Sequence, residues 1–259
     1  MEHYDDSYFS EIAEGSRSSA EIVVPLVLEL VKARSIVDVG CGTGEWLSVF
    51  KEKGVEDICG VDGAYVNRNN LKIPQECFMS ANLEHPLRLE RKFDLIVSLE
   101  VAEHIPIKSA ETFIHSLTQL GPVVLFSAAL PKQGGINHLN EQWPEYWANL
   151  FNKRGYVAID PLRRKIWNNE KVEFYYRQNI LMFVAQEQLQ NYPRLKKEHD
   201  LLDASMLSVV HPVQFLYCLE ELEAWKHQAQ LRNVPKMLLR ILLPHSIYEA
   251  IRTVYRRFQ

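Results

Sequence analysis

One stretch of the sequence, I-V-D-V-G-C-G-T-G over residues 36–44, limits the fold of this chain more than any other. Its β-branched start predicts a buried strand, and its glycines predict a tight turn. The residues from Glu45 to Phe50 then predict the first turns of a helix. A strand, a glycine turn and a helix N-terminus together form a site for nucleotide-like ligands. Glycine suits such a turn because a Cβ would obstruct the ligand and because some positions require a positive φ.

The spacing of these glycines argues against a dinucleotide. In the dinucleotide fingerprint G-x-G-x-x-G, the third glycine would fall at position 45, which is Glu45 in this chain. A carboxylate at that point would repel a pyrophosphate at close range. The pattern here is G-x-G-x-G at positions 40, 42 and 44, and Asp38 lies two residues before the first glycine. A ligand that carries positive charge would fit acids near the turn better than a phosphate would.

Strand and helix patterns alternate along the rest of the first 190 residues. Helical spacing is found over 18–33, with Pro25 expected in the first turn, over 108–120 and over 142–153. Apolar runs predict strands at about 35–39, 57–62, 76–79, 93–99, 123–128, 156–160 and 178–185. This alternation predicts an α/β fold: a doubly wound, Rossmann-like, seven-stranded and mostly parallel sheet with helices on both faces.

The two ends of the chain differ from this central domain, which we place at residues 18–189. Residues 1–17 are polar with aromatic points and suit either a loose N-terminal arm or a flap over the ligand. Residues 190–259 predict a C-terminal helical extension with helices over 213–231 and 235–258. The last helix mixes basic and apolar residues, so it could dock on the domain, form a homodimer face or lie on a membrane surface.

The composition excludes several classes of protein. The net charge is −4 and the pI is about 6.2, whereas a dedicated nucleic-acid-binding protein usually carries a basic excess. No apolar run reaches the ~20 residues that a membrane-spanning helix needs, and the polar N-terminus is not a signal peptide. The four cysteines form no C-x-x-C pair and suit small apolar positions in a reducing compartment, so we expect the cytoplasm.

Two motifs resemble those of class I S-adenosylmethionine (SAM) methyltransferases. The glycine turn with Asp38 is similar to motif I of that family, and the stretch F-D-L-I-V-S-L-E-V-A-E-H over 93–104 is similar to a later motif. A third segment, H-L-N-E-Q-W-P-E-Y-W over 138–147, looks like bacterial methyltransferases found with glycan and natural-product pathways. The resemblance implies SAM as cofactor and O-methylation of a sugar or small-molecule hydroxyl. N-methylation, carboxyl methylation and a non-catalytic SAM-binding scaffold or regulator stay open, while an RNA substrate is disfavoured by the acidic charge.

The resemblance also implies which residues hold the cofactor. Asp62 follows Asp38 by 24 residues, where a βαβ unit places a carboxylate for the ribose hydroxyls, although a surface turn would also suit an aspartate. Asn82 stands where the family usually offers an aspartate to the adenine amino group, and an amide oxygen can accept the same hydrogen bond. The expected cofactor-binding residues are Asp38, Gly40, Cys41, Gly42, Gly44, Asp62, Asn82, Leu83 and Glu100.

The acceptor should bind beyond the ends of the fourth and fifth strands. His104 follows the fourth strand and could take the proton of a hydroxyl acceptor, or it could simply cap the next helix. His138 and Glu103 are the other catalytic candidates. Asn137, Trp143 and Tyr146 could line the acceptor, or their segment could be an aromatic cap packed on the sheet. The basic and aromatic residues 162–167 suit a solvated hairpin edge or an acidic or sugar ligand.

A divalent metal is the less favoured alternative at this end. Glu100, Glu103, His104 and His138 could together supply two carboxylates and two imidazoles, a set suited to Mg²⁺ or Mn²⁺. This looks like the E-x-x-E-H plus downstream histidine of small-RNA 2′-O-methyltransferases, and ubiquinone-pathway O-methyltransferases carry a similar stretch. The opposing interpretation places Glu100 at the cofactor and Glu103 in solvent. We expect His104 to act as a metal-free base.

Overall fold

The computed structural model describes residues 6–203 and 206–226 of the 259-residue chain, with side chains from residue 14 onward. A seven-stranded sheet with strand order β3-β2-β1-β4-β5-β7-β6 forms its centre. The strands are β1 Ser35–Val39, β2 Asp57–Asp62, β3 Phe78–Ser80, β4 Leu95–Leu99, β5 Val123–Ser127, β6 Tyr156–Ile159 and β7 Leu181–Ala185. Strands β1 to β5 are parallel to one another, and β7 is antiparallel to both β5 and β6. The predicted mostly parallel, Rossmann-like sheet is confirmed.

Helices cover both faces of this sheet. They are α1 Asp6–Val31, α2 Glu45–Glu52, α3 Ala110–Leu120, α4 Pro144–Asn152, α5 Arg163–Ile166, α6 Phe174–Asn179 and α7 Pro193–Leu201. Successive side chains of β1 point to opposite faces, so Ile36 belongs to one buried apolar cluster and Val37 to the other. Because β1 is buried on both faces, its sequence is a continuous apolar run interrupted only by Asp38.

The first helix is longer than its sequence pattern predicts. It begins at Asp6 rather than near residue 18, and Pro25 lies inside it instead of in its first turn. A proline inside a helix removes one backbone hydrogen bond and usually kinks the helix. Val23, Val24 and Val27 are fully buried on either side of the proline, and this packing holds the segment helical. Part of the predicted N-terminal arm is therefore helix.

The segment over 162–167 also differs from the expected hairpin edge. Residues Arg163–Ile166 form the short helix α5, and the side chain of Arg163 is only 3% exposed. Its guanidinium pairs with Asp160 at 2.9 Å and donates to the carbonyl oxygens of Gln178 and Leu207. Arg163 thus ties the segment before residue 211 to the domain and is not available to an acidic ligand.

The chain divides into two compact units at residues 1–211 and 212–259. The first contains the sheet, all the named helices and a 3₁₀ segment at Gln186–Asn191. In the second, residues 212–226 are helical, whereas the helix predicted over 235–258 lies outside the described residues. No helix in the described part of the chain combines the length and the apolar character that crossing a bilayer requires.

Candidate functional site

The glycine turn joins the carboxyl end of β1 to the first turn of α2. Gly40, Gly42 and Gly44 all have positive φ, at 90°, 53° and 88°. The backbone N–H of Gly40 donates to the carbonyl oxygen of Val61 at 2.7 Å, which fastens the turn to β2. Glu45, at the start of α2, is 6% exposed, and burial raises the pKa of its carboxyl. A pyrophosphate-binding turn would not have a buried acid at this position, so Glu45 distinguishes this turn from such a site.

The turn forms an open cradle at Gly42. A Cβ placed on Gly42 would have no other atom within 4 Å, whereas one on Gly40 would lie 2.3 Å from Cγ2 of Val101. Gly40 therefore serves close packing within the protein, and Gly42 leaves space for a ligand. Cys41 and Leu83 are 8% and 9% exposed and belong to the apolar clusters on opposite faces of the sheet.

Two buried acids lie beside the cradle. Asp38 is 3% exposed, and burial together with the charge of Asp62 raises its pKa well above the ordinary value. Asp62 is 4% exposed, so it is not an aspartate of a surface turn. A positively charged group bound here would favour the ionised form of Asp38. The electrostatics of the turn therefore suit a cation such as an ammonium or a sulfonium.

The carboxylate of Asp62 is already held by three donors. Its Oδ2 accepts from the backbone N–H of Gly42 at 2.7 Å, and its Oδ1 accepts from the N–H of Gly63 at 2.6 Å. The hydroxyl of Tyr65 donates to the same Oδ1 at 2.5 Å. A diol that uses both oxygens of Asp62 must therefore compete with Tyr65. Tyr65 was not predicted from the sequence, and its position three residues after Asp62 is the signal that could have indicated it.

Asn82 lies on the surface after β3 and uses its side chain locally. Its Oδ1 accepts from the backbone N–H of Glu84 at 2.9 Å. The backbone N–H of Ala81 donates to the carbonyl oxygen of Asp62 at 2.8 Å, which keeps this turn beside the second strand. The second lone pair of the Asn82 oxygen is the one left for an adenine amino group.

Glu100 ends β4 in an unusual conformation. Its φ is +53°, a left-handed value that costs a non-glycine residue about 1–2 kcal/mol. Its half-buried carboxylate accepts from Asn179 Nδ2 at 3.1 and 3.2 Å and from Gln133 Nε2 at 2.8 Å. Burial raises the pKa of Glu100, although these amides favour its charged form. Gln133 and Asn179 were missed by the sequence analysis, since they reach Glu100 from 33 and 79 residues away.

Glu103 points into the protein rather than into solvent, contrary to the opposing interpretation of the E-x-x-E-H stretch. It lies on the 3₁₀ turn Ala102–His104 and is 1% exposed. Within the described residues, neither of its carboxylate oxygens has a hydrogen-bond partner. Burial and the nearby charge of Glu100 raise its pKa well above the ordinary value. A buried carboxylate without donors requires a proton or a bound cation.

Two imidazoles lie next to Glu103. The rings of His104 and His138 are 4.9 Å apart and nearly perpendicular, and one ligand atom from each of Glu103, His104 and His138 falls within 4.8 Å of the other two. His104 Nδ1 is 3.3 Å from the carbonyl oxygen of Asn137, and His138 Nδ1 is 2.9 Å from Oε1 of Glu141. Because both partners are acceptors, each Nδ1 carries a proton, and the neutral form of either ring has its lone pair at Nε2.

His104 is poised to be neutral. Desolvation by the surrounding protein and then the charge of His138 lower the pKa of its imidazole, although the residue is exposed, while Asp62 acts in the opposite direction. The interaction with Asp62 brings the acceptor end of the site within electrostatic reach of the cradle. The ring contacts a loop carbonyl and makes no helix-capping hydrogen bond.

The segment over 137–147 is buried in one part and exposed in another. Trp147 is 2% exposed and packs in the core, whereas Trp143 is 46% exposed. Tyr146 is half-buried, and its ring meets Trp147 edge-on at 4.9 Å. Asn137 is exposed with φ +59°. One part of the segment therefore packs in the core, whereas Trp143 is exposed and the carbonyl oxygen of Asn137 contacts His104.

Comparisons with known proteins agree with this geometry. A family model described as a methyltransferase domain matches residues 12–236. A malonyl-[acyl-carrier protein] O-methyltransferase of Hamiltonella defensa is 26% identical over 118 residues, which is 44% of this chain and 44% of that protein. The match thus spans less than half the length of that curated relative.

Two solved structures have a similar fold. The sugar N-methyltransferase KedS8 from Streptoalloteichus has a TM-score of 0.55 at 16% identity, over 72% of this chain and 97% of that one. The magnesium protoporphyrin IX methyltransferase of Synechocystis, solved with bound SAM, has a TM-score of 0.50 at 19% identity, over 71% of this chain and 86% of that one. At these identities the likeness concerns the fold.

Proposed function

Since this chain belongs to the methyltransferase domain family, we propose that it is a SAM-dependent methyltransferase that methylates a hydroxyl group of a sugar or another small natural product. The single observation that carries the proposal is the pair of imidazoles of His104 and His138 in the loops after β4 and β5, whose Nδ1 atoms both face hydrogen-bond acceptors. These strands are parallel, so the loops that follow them share one edge of the sheet. A hydroxyl acceptor needs a base at this point, whereas a carboxylate acceptor does not.

The cradle fits the cofactor through its shape and its charge. Gly42 leaves open space, and Asp38 and Asp62 favour a positive ligand. When bound, SAM supplies an electrophilic methyl group on a sulfonium whose leaving group is a neutral thioether. The protein therefore needs no oxyanion stabilisation at the leaving group. Its main task is to align the acceptor oxygen with the methyl group, and such positioning can lower the barrier by several kcal/mol.

The proposed division of labour follows from the hydrogen bonds. His104 and His138 hold their Nδ1 protons on acceptors, so an Nε2 lone pair can receive the proton of the acceptor hydroxyl. Trp143 exposes its ring next to this loop, and an aromatic face suits the apolar face of a sugar.

The compartment is a separate part of the proposal. The cysteines Cys41, Cys59 and Cys77 are free thiols, which supports our proposal of a reducing, cytoplasmic compartment.

The proposal is tested by release of S-adenosylhomocysteine with a panel of acceptors. The panel should contain nucleotide-activated sugars and small alcohols, together with amines and carboxylates. We expect turnover with a hydroxyl acceptor and a product whose new ether bond survives mild alkali. A product that alkali hydrolyses would identify carboxyl methylation, a methylated amine would identify N-methylation, and SAM binding without turnover on any acceptor would favour the scaffold role.

A second candidate, metal-assisted O-methylation, is favoured by the environment of Glu103. Its two oxygens are buried without donors, and the ligand atoms of Glu103, His104 and His138 lie within 4.8 Å of one another. A carboxylate and two imidazoles suit Mn²⁺ or a similar ion. The fourth residue of the predicted set, Glu100, is instead occupied by the amides of Gln133 and Asn179. A bound cation would lower the pKa of the acceptor hydroxyl.

Thermal denaturation separates the two candidates without an acceptor. If the metal is used, Mn²⁺ should raise the melting temperature of the wild type but not that of Glu103→Gln, and chelator should reverse the gain. Glu111→Gln, on the surface of α3, should keep the wild-type response and controls for nonspecific binding. Equal shifts of the melting temperature in the wild type and Glu103→Gln would contradict a metal site at Glu103.

A further inference from the structure

Glu141 is an acidic residue near the candidate site that has no role in the reaction proposed above. Its Oε1 accepts from His138 Nδ1 at 2.9 Å and from the backbone N–H of Gly134 at 3.0 Å. Its Oε2 accepts from the backbone N–H of Lys132 at 2.8 Å. The side chains of His138 and Glu141 are only 13% and 20% exposed. One carboxylate therefore joins the imidazole to both ends of a loop turn.

The donors around Glu141 support the same assignment. The backbone N–H groups of Lys132 and Gly134 donate to its two carboxylate oxygens, so the carboxylate acts as an acceptor in this loop. Its partner nitrogen, Nδ1 of His138, is therefore the donor of the 2.9 Å hydrogen bond.

The loop around this carboxylate fits the ring closely. Lys132, Gly134, Gly135 and Asn137 all have positive φ, at 70°, 76°, 143° and 59°. A Cβ on Gly135 would lie 2.3 Å from His138 Nε2, so only glycine leaves room for the ring in this orientation. Lys132 and Asn137 are not glycines, so their left-handed conformations are costly unless other contacts hold them. The hydrogen bonds to Glu141 supply contacts of this kind.

We propose that Glu141 is the positioning residue that keeps the imidazole of His138 in its Nδ1–H tautomer. The Nε2 lone pair of His138 is thereby reserved for the acceptor end of the site. Glu141 touches neither acceptor nor cofactor in this assignment and acts through His138. The catalytic role of this tautomer rests on the proposed function, but the tautomer itself can be measured without any acceptor.

The test is nitrogen-15 NMR of the full chain labelled at its nine histidines, with the His138 signals assigned from His138→Ala. Wild-type His138 should show a protonated Nδ1 and an unprotonated Nε2. In Glu141→Ala the acceptor is lost, and the population should shift mainly to the Nε2–H tautomer, whereas the tautomer of His104 should stay the same. Glu111→Ala removes a surface carboxylate and should leave both histidines unchanged.

Glu141→Gln provides a conservative variant. With its amide oxygen in the place of Oε1, glutamine keeps the donors His138 and Gly134 and loses only Lys132. We therefore expect Glu141→Gln to retain the wild-type tautomer. Once an acceptor is known, Glu141→Ala should lower kcat about 10- to 100-fold with unchanged SAM affinity, and Glu141→Gln should recover most of the loss.

The proposal is overturned if His138 has the Nε2–H tautomer in the wild type or if Glu141→Ala leaves the tautomer unchanged. A shifted tautomer without any loss of kcat would overturn the catalytic meaning of the positioning. Failure of the proposed hydroxyl chemistry would instead appear as the wrong product in the acceptor panel, with the tautomer of His138 still as expected.

Discussion

Replacement of Gly42 by alanine should weaken SAM binding while the fold suffers only a backbone penalty. The φ of Gly42 is +53°, and alanine in the left-handed region costs about 1–2 kcal/mol of stability. The new methyl group would meet no protein atom within 4 Å, so packing adds nothing to that cost. The methyl group would instead enter the space we assign to the cofactor, and we expect at least about a tenfold loss of affinity, or about 1.4 kcal/mol.

Gly155→Ala is the matched control for this variant. Gly155 also has a positive φ, at +77°, and a Cβ on it would likewise meet nothing within 4 Å. It lies just before β6, at the opposite edge of the sheet from the glycine turn. Urea denaturation should show a similar loss of unfolding free energy in both variants, and calorimetry with SAM should show weakened binding only in Gly42→Ala. Equal SAM affinities of the two variants would refute the cradle.

Three further predictions concern Asp62, Tyr65 and His104. Asp62→Ala should weaken SAM binding by about 1.5–3 kcal/mol in calorimetry, the scale of hydrogen bonds to a charged group, and unchanged affinity would remove Asp62 from the ribose site. Tyr65→Phe, which frees Oδ1 of Asp62 from a competing hydroxyl, should strengthen binding by about 0.5–1.5 kcal/mol; weaker binding would make Tyr65 a ligand of the cofactor instead. Because desolvation and His138 lower the pKa of His104, the neutral base should persist below pH 6.5, and kcat/KM of chelator-treated protein should fall only at a lower pH. A fall of kcat/KM that already begins above pH 6.5 on acidification would contradict the assignment of His104 as the base.

Features determined by local sequence were predictable, and features determined by distant contacts were not. The glycine turn and β1 follow from adjacent residues, and strand β2 ends at Asp62 as its pattern predicts. The start of α1 was missed because Tyr8, Phe9 and Ile12 form only a short apolar stripe among polar residues. The predicted position of Pro25 was wrong because tertiary packing overrides its local preference.

At the site, the types of the acidic and imidazole side chains indicated the chemistry, but their partners did not follow from sequence. Asn179 reaches Glu100 across 79 residues, and no spacing rule links them. The link between Glu141 and His138 spans three residues, yet it depends on the left-handed loop that folds around the carboxylate. The burial of Glu103 likewise depends on how that loop covers the 3₁₀ turn, since the N–H groups of Leu139 and Asn140 donate to its carbonyl oxygen.

The most direct test of the account compares turnover with cofactor affinity in His104→Ala, because both proposed mechanisms use His104 at the acceptor end. With an acceptor identified, release of S-adenosylhomocysteine should fall about 100-fold or more, and the Kd for SAM should stay within about twofold. His115→Ala, on the exposed side of α3, should behave like the wild type in both measurements. Full turnover in His104→Ala would contradict the account and would leave the reaction to His138 or to positioning alone.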